Sequence, residues 1–471
     1  VCSSDLQIIT PNEKADWINQ RGGLYDTLIP FVPEKKKNIN ANSVFSNYST
    51  GVITNRESWV YNSNLNTLTD NCLKLISFYN SETNRLINAL GQNNNLVASH
   101  FVDKDETKIK WDEALFKYAQ KGKELQFEPK TIVDAIYRPY FKQHLYFNKE
   151  LNWSRYLMPS FFPKGHDNIA ICVNGSAGQK EFSVSITSHI VDRSSIGAGQ
   201  CFPLYWYEEN KNPQATLFDD AETDKYIRRD GITDWILKEV RSRFGGSKAI
   251  TKEHIFYYVY GLLHSRQYRE RFADDLKKSL PRIPLVDNVQ DFMSFYKAGK
   301  ELADLHLNYE QGINEQVIGR EDDYSFFAAM PMSAHKACGV EVNGDMDIWQ
   351  NNWTNETYQY FAVDKMRFAK IRDENGTLVA DKARIIYNDH ITIENIPLKA
   401  YEYVVNGKSA IEWIMERYAI TIDKASQIKN DPNDWSREHE QPRYILDLLL
   451  SVIMFSCQTV DVINTLPILK I

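Results

Sequence analysis

The chain has 471 residues, of which 43% are hydrophobic and 25% are charged, and its formal net charge is −7 at neutral pH. This composition is typical of a globular protein with room for about two to four domains, and it excludes a uniformly basic surface, so any contact with nucleic acid must depend on a local patch. The six cysteines form no C-x-x-C pair, which argues against a zinc site or a disulfide framework and fits reduced thiols in a cytoplasmic protein.

The first residues do not look like the start of a natural protein. The chain begins with Val1 rather than Met, and VCSSDL is similar to a translated sequencing adapter. We therefore expect a truncated reading frame whose preceding domains are encoded upstream.

Helical periodicity dominates the first quarter of the chain. Apolar side chains recur at helical spacing over Leu68–Leu90, and a second helical pattern covers Trp111–Lys121 before Gly122. Upstream of both, GVITNRESWVY contains Arg56 and Trp59, which could meet a DNA backbone. The alternative, a buried Trp beside a surface Arg, is favoured about two to one by residue type alone.

The stretch Ile136–Tyr207 is rich in aromatic residues and strand patterns. Aromatic and basic residues alternate along IYRPYFKQHLYF, and strands are predicted at Ile169–Asn174 and Glu181–Thr187, joined by a turn at Gly175–Gly178. A β-ribbon of this kind can bury its rings while it presents cations to phosphates and base edges. An aromatic β core with solvated cations is the alternative, and spacing alone favours it about two to one.

The rest of the chain returns to helices and then to strands. Amphipathic helices are predicted at Thr233–Phe244, Thr251–His264, Tyr268–Ser279 and Asp291–His306. Strands are predicted over Tyr358–Ile396, with a hairpin turn at Asn375–Gly376. No apolar run reaches the roughly 18 residues that a membrane span needs, so we expect no membrane contact and interpret Tyr444–Phe455 as a core helix.

Several of these stretches resemble one known family. GVITNRESWVY, YRPYFKQHLYF, NIAICV, QCFPLYW and HIFYYVYGLLHSRQYRERFADDLKKSLPRIP are similar to the C-terminal specificity region of type ISP restriction-modification enzymes, although Arg266–Gln267 stand where that family usually has Pro-Glu. In that family one polypeptide carries a nuclease, a helicase-like translocase, an adenine-N6 methyltransferase and a target-recognition domain. The resemblance implies that this chain recognises double-stranded DNA for upstream methyltransferase and helicase-nuclease domains. It also implies no cofactor in this segment, with S-adenosylmethionine, ATP and Mg serving the upstream domains.

The patterns and the resemblance together predict an α+β fold: a β-rich recognition core, a helical spacer, and a second β segment closed by helices. The predicted segments are 7–125 (post-methyltransferase junction and helical entry), 126–224 (β-rich recognition core), 225–308 (helical spacer), 309–357 (variable insertion) and 358–471 (C-terminal α+β segment).

The candidate DNA contacts are polar and basic side chains, because Arg, Lys, Asn and Gln read groove edges and cations bind phosphates. They are Arg56, Arg138, Lys142, Gln143, Arg155, Gln179, Lys180, Ser188, His189 and Arg193. Arg367 and Lys370 in the second β segment are weaker candidates, since solvated strand positions explain them better than DNA contacts.

Two other functions stay open at this point. The sequence contains no N-P-P-Y-type methyltransferase loop, no Walker motif and no evident nuclease cluster, so we expect a segment that is itself non-catalytic within a DNA methyltransferase/endonuclease. One alternative is an architectural domain that couples the methyltransferase to the motor without base contacts. The other is a stand-alone hydrolase that uses carboxylates from distant parts of the chain.

Overall fold

The computed structural model of the chain describes residues 10–18, 20–33, 42–92, 94–175, 181–210, 225–310, 339–345, 348 and 354–470. Its helices in that part are Gly23–Thr27 (α1), Glu57–Val60 (α2), Leu65–Leu90 (α3), Ala98–Phe101 (α4), Glu113–Gln120 (α5), Met158–Phe161 (α6), Asp234–Arg243 (α7), Lys252–His264 (α8), Arg266–Arg271 (α9), Ala273–Leu276 (α10), Val289–Leu307 (α11), Asn355–Phe361 (α12), Ala410–Arg417 (α13), Asn433–Glu438 (α14) and Tyr444–Asn464 (α15). Its strands are Ile29–Pro30 (β1), Tyr61–Asn62 (β2), Ile132–Arg138 (β3), Phe141–Tyr146 (β4), Ala170–Val173 (β5), Val184–Thr187 (β6), Ile190–Val191 (β7), Gln200–Pro203 (β8), Tyr205–Glu209 (β9), Tyr226–Asp230 (β10), Arg282–Ile283 (β11), Glu341–Asn343 (β12), Arg367–Arg372 (β13), Leu378–Ile386 (β14), Thr392–Glu394 (β15), Val404–Val405 (β16), Lys408–Ser409 (β17), Thr421–Ile422 (β18) and Lys429–Asn430 (β19). The predicted α+β class is confirmed.

Side-chain caps fix the helix starts that the sequence predicted. The hydroxyl of Thr233 accepts the Ile236 backbone N–H at the start of α7, and that of Thr251 accepts the His254 N–H at the start of α8. A capping side chain satisfies a backbone donor that has no partner within the helix, which explains why these two helices begin where Thr occurs.

Two sequence predictions are wrong in detail. The helix predicted at Tyr268–Ser279 is divided into α9 and α10, because Phe272 leaves the helical conformation at φ −111° and ψ 23°. The strand predicted from Tyr358 is instead the end of α12, since the Thr354 hydroxyl caps this helix by accepting the Thr357 N–H.

Three small sheets organise the β structure. One has the order β2-β4-β3-β7, the next β6-β5-β8, and the third β12-β15-β14-β13. Strands β3 and β4 form an antiparallel hairpin, whereas β7 joins the edge of β3 in parallel. Apart from β2 at Tyr61–Asn62, the strands of the first two sheets lie within the predicted β-rich segment 126–224.

Strand β5 separates two hydrophobic cores. Ile171 and Val173 belong to a first core with Phe202 and the helices α8 and α11, while Ala170 and Cys172 belong to a third core with α3 and β4. Successive side chains of a strand point to opposite faces, so β5 is buried on both sides. The unbroken apolar run AICV reflects this double burial.

A second core lies around the C-terminal helix α15. Its members include Ile385 of β14, Ile414 of α13 and Leu449 of α15. Helix α15 is long and apolar enough to cross a membrane by length and composition alone, yet 78% of its most apolar 18-residue window is buried inside the protein. It is therefore packed as the core helix that the sequence predicted.

Two glycines allow α8 and α11 to touch backbone to backbone. A Cβ at Gly299 would lie 1.8 Å from the Tyr257 carbonyl oxygen, and one at Gly261 would lie 2.2 Å from the Phe295 carbonyl oxygen. Both distances are far below van der Waals contact, so only glycine permits this helix crossing.

The hairpin β13–β14 extends beyond its sheet. Strand β15 pairs with β14 only at Ile385 and Ile386. Strands β13 and β14 continue beyond this point, from the pair of Ala369 with Asp381 to the pair of Arg372 with Leu378. We call the continuous segment from residue 369 to residue 381 the distal ribbon. Gly376 occupies its turn at φ 77°, which confirms the hairpin predicted at Asn375–Gly376.

Candidate nucleic-acid interface

The β3–β4 hairpin brings the aromatic-basic run to a junction between the second and third cores. Its turn places Tyr140 at φ 58°, and the buried Tyr140 hydroxyl lies 2.7 Å from that of Tyr403. The Tyr137 ring packs against Tyr61, with 4.7 Å between centroids. The hairpin is thus anchored on both sides, which fixes the position of the residues that follow β3.

A groove of about 620 Å³ opens beside this hairpin. We call it the arginine groove. It lies between α2, the β3–β4 hairpin, the end of α13 and the β18–β19 hairpin. The charged and polar residues that line it are Glu57, Ser58, Asn62, Lys110, Arg138, Gln143, Glu416, Arg417, Thr421, Asp423, Lys424 and Asn430. Its four cations face three carboxylates, so it suits a polar ligand that carries individual anionic groups.

Arg138 is held at the groove wall by a carboxylate and a ring. Its Nη1 lies 2.9 Å from Asp192 Oδ1, and its guanidinium carbon lies 3.9 Å from the Tyr137 ring centroid. Burial raises the pKa of Asp192 to about 6, although the Arg138 charge opposes this shift. Asp192 therefore stays mostly ionised at pH 7 and loses its charge as the pH falls through about 6.

Arg417 supplies the second guanidinium of the groove. Its Nη2 lies 2.7 Å from Glu416 Oε1, and burial, followed by the charge of Arg138, lowers its pKa. Its Nε atom is buried and makes no hydrogen bond within the described residues. Two guanidinium groups that repel each other across a groove would be stabilised by a bound anion such as a phosphate.

Gln143 also reaches the groove, but its amide is engaged. The side chain is buried, and its Nε2 donates to Asn430 Oδ1 at 2.8 Å and to Ser63 Oγ at 3.3 Å. This placement links β4 to the β18–β19 hairpin, so in this conformation Gln143 shapes the groove wall.

Lys142, Ser188 and His189 are directed to a different place. They line a narrow cavity of about 50 Å³. Lys142 is separated from Gln143 because neighbouring residues of a strand point to opposite faces. Lys142 forms an ion pair with the buried carboxylate of Glu310, and Ser188 Oγ lies 2.9 Å from His189 Nδ1. Burial, with a smaller effect of the Lys142 charge, lowers the pKa of His189 to about 4, so this imidazole is neutral at pH 7.

The Arg56 side chain has no exposed surface. Its guanidinium is paired with Asp112 and donates to the carbonyl oxygens of Lys110 and Leu151, while Trp59 is buried beside it. Such a guanidinium holds three segments together and has no surface for a phosphate. The prediction that Arg56 contacts DNA is therefore wrong for this conformation, as is the alternative of a surface Arg.

The remaining predicted residues are dispersed. Arg155 is half-buried and donates to the Phe147 carbonyl oxygen at 3.3 Å, and Arg193 is exposed just after β7. Gln179 and Lys180 lie outside the described residues. The structure thus brings Arg138 and Gln143 together, places Lys142, Ser188 and His189 in a second group, and leaves the other described candidates apart.

Sequence reasoning missed the groove residues that come from the C-terminal segment. Arg417, Lys424 and Asn430 face Arg138 although some 280 residues of chain separate them. No local pattern singles them out, since a charged residue at the end of a helix is common on solvated surfaces.

The sequence matches one family of known proteins over most of its length. Residues 43–448 match the family described as the type ISP C-terminal specificity domain. The chain belongs to this family. The search of curated proteins found no match to this chain.

Three of the solved structures that are similar to this chain are complexes with DNA or a DNA mimic. One is a nuclease-deletion mutant of the type ISP restriction-modification enzyme LlaGI with a DNA substrate mimic, at 34% identity and a TM-score of 0.74 over 98% of this chain and 36% of that one. Another is the ATP-dependent type ISP enzyme LlaBIII bound to DNA, at 32% identity and 0.75 over 99% of this chain and 26% of that one. A DrdV–DNA complex has 26% identity and 0.74 over 99% and 41%. This chain therefore spans about a third of the length of these relatives.

Proposed function

We propose that this chain selects the DNA sequence on which a type ISP restriction-modification enzyme acts. The observation that carries the proposal is the match to the specificity-domain family over residues 43–448. Its partners would be double-stranded DNA and the upstream methyltransferase and helicase-nuclease domains of a longer polypeptide in the cytoplasm. S-adenosylmethionine, ATP and Mg would serve those upstream domains.

The arginine groove supplies the chemistry for gripping DNA. A phosphate bound between Arg138 and Arg417 would be in reach of two guanidinium groups, which form short charge-assisted hydrogen bonds with phosphate oxygens. Such contacts set the position of a protein on the duplex, while sequence is chosen by hydrogen bonds to base edges. The groove therefore accounts for affinity and register, and the choice of sequence needs a further element.

Selection from a randomised duplex library by the 471-residue chain tests the proposal. We expect enrichment of a short sequence by the unaltered chain. The double variant Arg138→Ala and Arg417→Ala should bind all sequences more weakly, with a salt slope smaller by about 0.9 for each phosphate that the variant no longer binds. Lys117→Ala is the matched control, since Lys117 is an exposed cation on α5 that pairs with Glu113 and lies outside the groove.

The outcomes separate recognition from architectural coupling. One observation favours coupling without base contacts. Lys142 is paired with Glu310 and Gln143 donates to Asn430, so neither side chain is free to bond a base in this conformation. Enrichment of no sequence, together with binding that the double variant leaves unchanged, would favour coupling and contradict the recognition proposal. Turnover of DNA by this chain alone would instead support the hydrolase alternative.

A further inference from the structure

Arg138 faces both the interior of the protein and the arginine groove. Its Nη1 atom donates to the Tyr137 carbonyl oxygen and, at 2.9 Å, to Asp192 Oδ1. Its Nε and Nη2 atoms form no hydrogen bond with a described residue, and 16% of the side chain is exposed where it lines the groove. The guanidinium can therefore hold Asp192 with one nitrogen and bind an anion with the other two.

Asp192 is fixed in place beside Arg138. Its backbone N–H donates to the Ile136 carbonyl oxygen, and its carboxylate accepts the Ser194 backbone N–H at 2.8 Å. Gly51 packs so closely against this segment that a Cβ there would lie 2.7 Å from the Arg193 backbone nitrogen. Only 4% of the Asp192 side chain is exposed, so water screens its charge weakly.

Asp192 depends on Arg138 for a compensating charge. Arg138 is the only cation that forms an ion pair with Asp192 among the residues that the structure describes. Burial raises the pKa of Asp192 to about 6, and the Arg138 charge opposes this rise. The charged and titratable groups that act on this pair from the surrounding elements are Glu57 of α2, Tyr61 of β2, Tyr137 of β3 and Arg417 of α13. Glu57 is a further carboxylate and Arg417 acts on Arg138, so neither replaces the pairing.

A phosphate bound in the groove would make the ionised form of Asp192 less stable. Bound to the free nitrogens of Arg138, it would place a second negative charge on the same guanidinium. If it drew Arg138 into the groove instead, it would leave a buried carboxylate without its cation. Both arrangements favour the protonated carboxyl, and the fixed backbone keeps the Asp192 side chain away from solvent.

We propose that Asp192 is a positioning residue that holds Arg138 for a DNA phosphate and takes up a proton when that phosphate binds. The proton comes from solvent and forms an O–H bond at one carboxyl oxygen, while the other oxygen can still accept from Arg138 Nη1. Binding and protonation therefore favour each other, because linkage between two equilibria is reciprocal. This inference rests on the proposed function and adds a dependence of DNA affinity on pH.

The affinity of the chain for DNA should fall as the pH rises. Asp192 titrates near pH 6 in the free chain, so a complex in which it titrates only one pH unit higher loses about fivefold in affinity between pH 6 and pH 8. Asp192→Asn keeps the shape and the acceptor for Arg138 but cannot take up a proton. Its affinity should be the same at both pH values and, at pH 8, about five- to tenfold higher than that of the unaltered chain. A merely structural role would weaken the variant at every pH.

Glu416→Gln is the matched control. Glu416 is a carboxylate of the same groove that pairs with Arg417, but 40% of its side chain is exposed. Removing its charge should strengthen binding by a similar factor at pH 6 and pH 8, because a carboxylate near the bound phosphate repels it. The dependence of affinity on pH should remain that of the unaltered chain.

Fluorescence anisotropy at pH 6, 7 and 8 and constant salt measures these affinities with the 471-residue chain. Two labelled duplexes serve as probes: the one enriched in the library selection and one of scrambled sequence, since a phosphate contact acts on both. Calorimetric titration of the unaltered chain at pH 7, in two buffers with different enthalpies of ionisation, counts the protons directly. We expect an uptake of about 0.4 to 0.9 proton, a result that does not depend on the folding of any variant.

The outcomes decide the inference and the proposed function separately. If the affinity of the unaltered chain is constant from pH 6 to pH 8, or if Asp192→Asn keeps the change, the inference is overturned, while enrichment of a sequence would still uphold the proposed function. If no sequence is enriched, the proposed function fails, and the pH series with the scrambled duplex still decides whether Asp192 is linked to phosphate binding. Absence of binding to either duplex would overturn both.

Discussion

Asp192→Asn should change how the stability of the chain depends on pH. Asp192 is buried beside Arg138, and folding raises its pKa from 3.8 to about 6. A carboxyl whose pKa is raised by folding contributes stability at low pH, and this contribution is lost as the pH rises through the folded value. The amide of the variant cannot take up the proton, so only the unaltered chain gains this stability on acidification.

The size of the effect follows from the two pKa values. Between pH 7.5 and pH 5 the folded chain takes up most of one proton on Asp192, while the unfolded chain takes up almost none. Integration over this window gives about 1.4 kcal/mol of added stability for the unaltered chain. The unfolding free energy of the variant, relative to that of the unaltered chain, should therefore be higher at pH 7.5 than at pH 5 by about 1.4 kcal/mol.

Urea unfolding at pH 5, 6 and 7.5 measures this difference directly. Glu113→Gln is the control, because it removes an exposed carboxylate on α5 that is paired with Lys117. A stability difference between variant and unaltered chain that stays constant over this range, or that changes in the opposite direction, would refute the assigned environment of Asp192.

Other substitutions test the packing that positions the groove. Gly299→Ala should lower the unfolding free energy by about 1–3 kcal/mol through overpacking, whereas Gly23→Ala in α1, which has nothing within 4 Å, should leave the Tm nearly unchanged. Arg56→Met should cost about 3–5 kcal/mol in urea unfolding, because it leaves a buried carboxylate unpaired; a loss below 1 kcal/mol would contradict that pairing. Although burial opposes the shift, hydrogen bonds to two carboxylates raise the pKa of His144 above 6.5. His144→Gln should therefore lose less stability than the unaltered chain as the pH rises from 6.5 to 9, and equal losses would contradict the raised pKa.

Local chemistry in the sequence predicted the elements well. The Asn375–Gly376 turn and the Thr251 cap both act over a few residues, so their consequences can be derived without the fold. Helix α12 was missed because the cap at Thr354 competes with a strand-like composition downstream. Short-range signals of similar strength conflict there, and only packing decides between them.

The candidate site was harder to predict than the fold. Strand alternation alone separates Lys142 from Gln143, and this could have been derived from the predicted strand. The burial of Arg56 depends on Asp112 and on the carbonyl oxygen of Leu151, and the partner of Arg138 across the groove is Arg417. These contacts join segments far apart in the chain, so one sequence without its tertiary structure does not reveal them.

The double burial of β5 determines where the chain can accept substitutions. A residue changed in that strand disturbs one of two cores, whichever face its side chain occupies. In the distal ribbon, by contrast, Ala369 is the only buried residue. Sequence variation that preserves the fold is thus expected to be far more common in the ribbon than in β5.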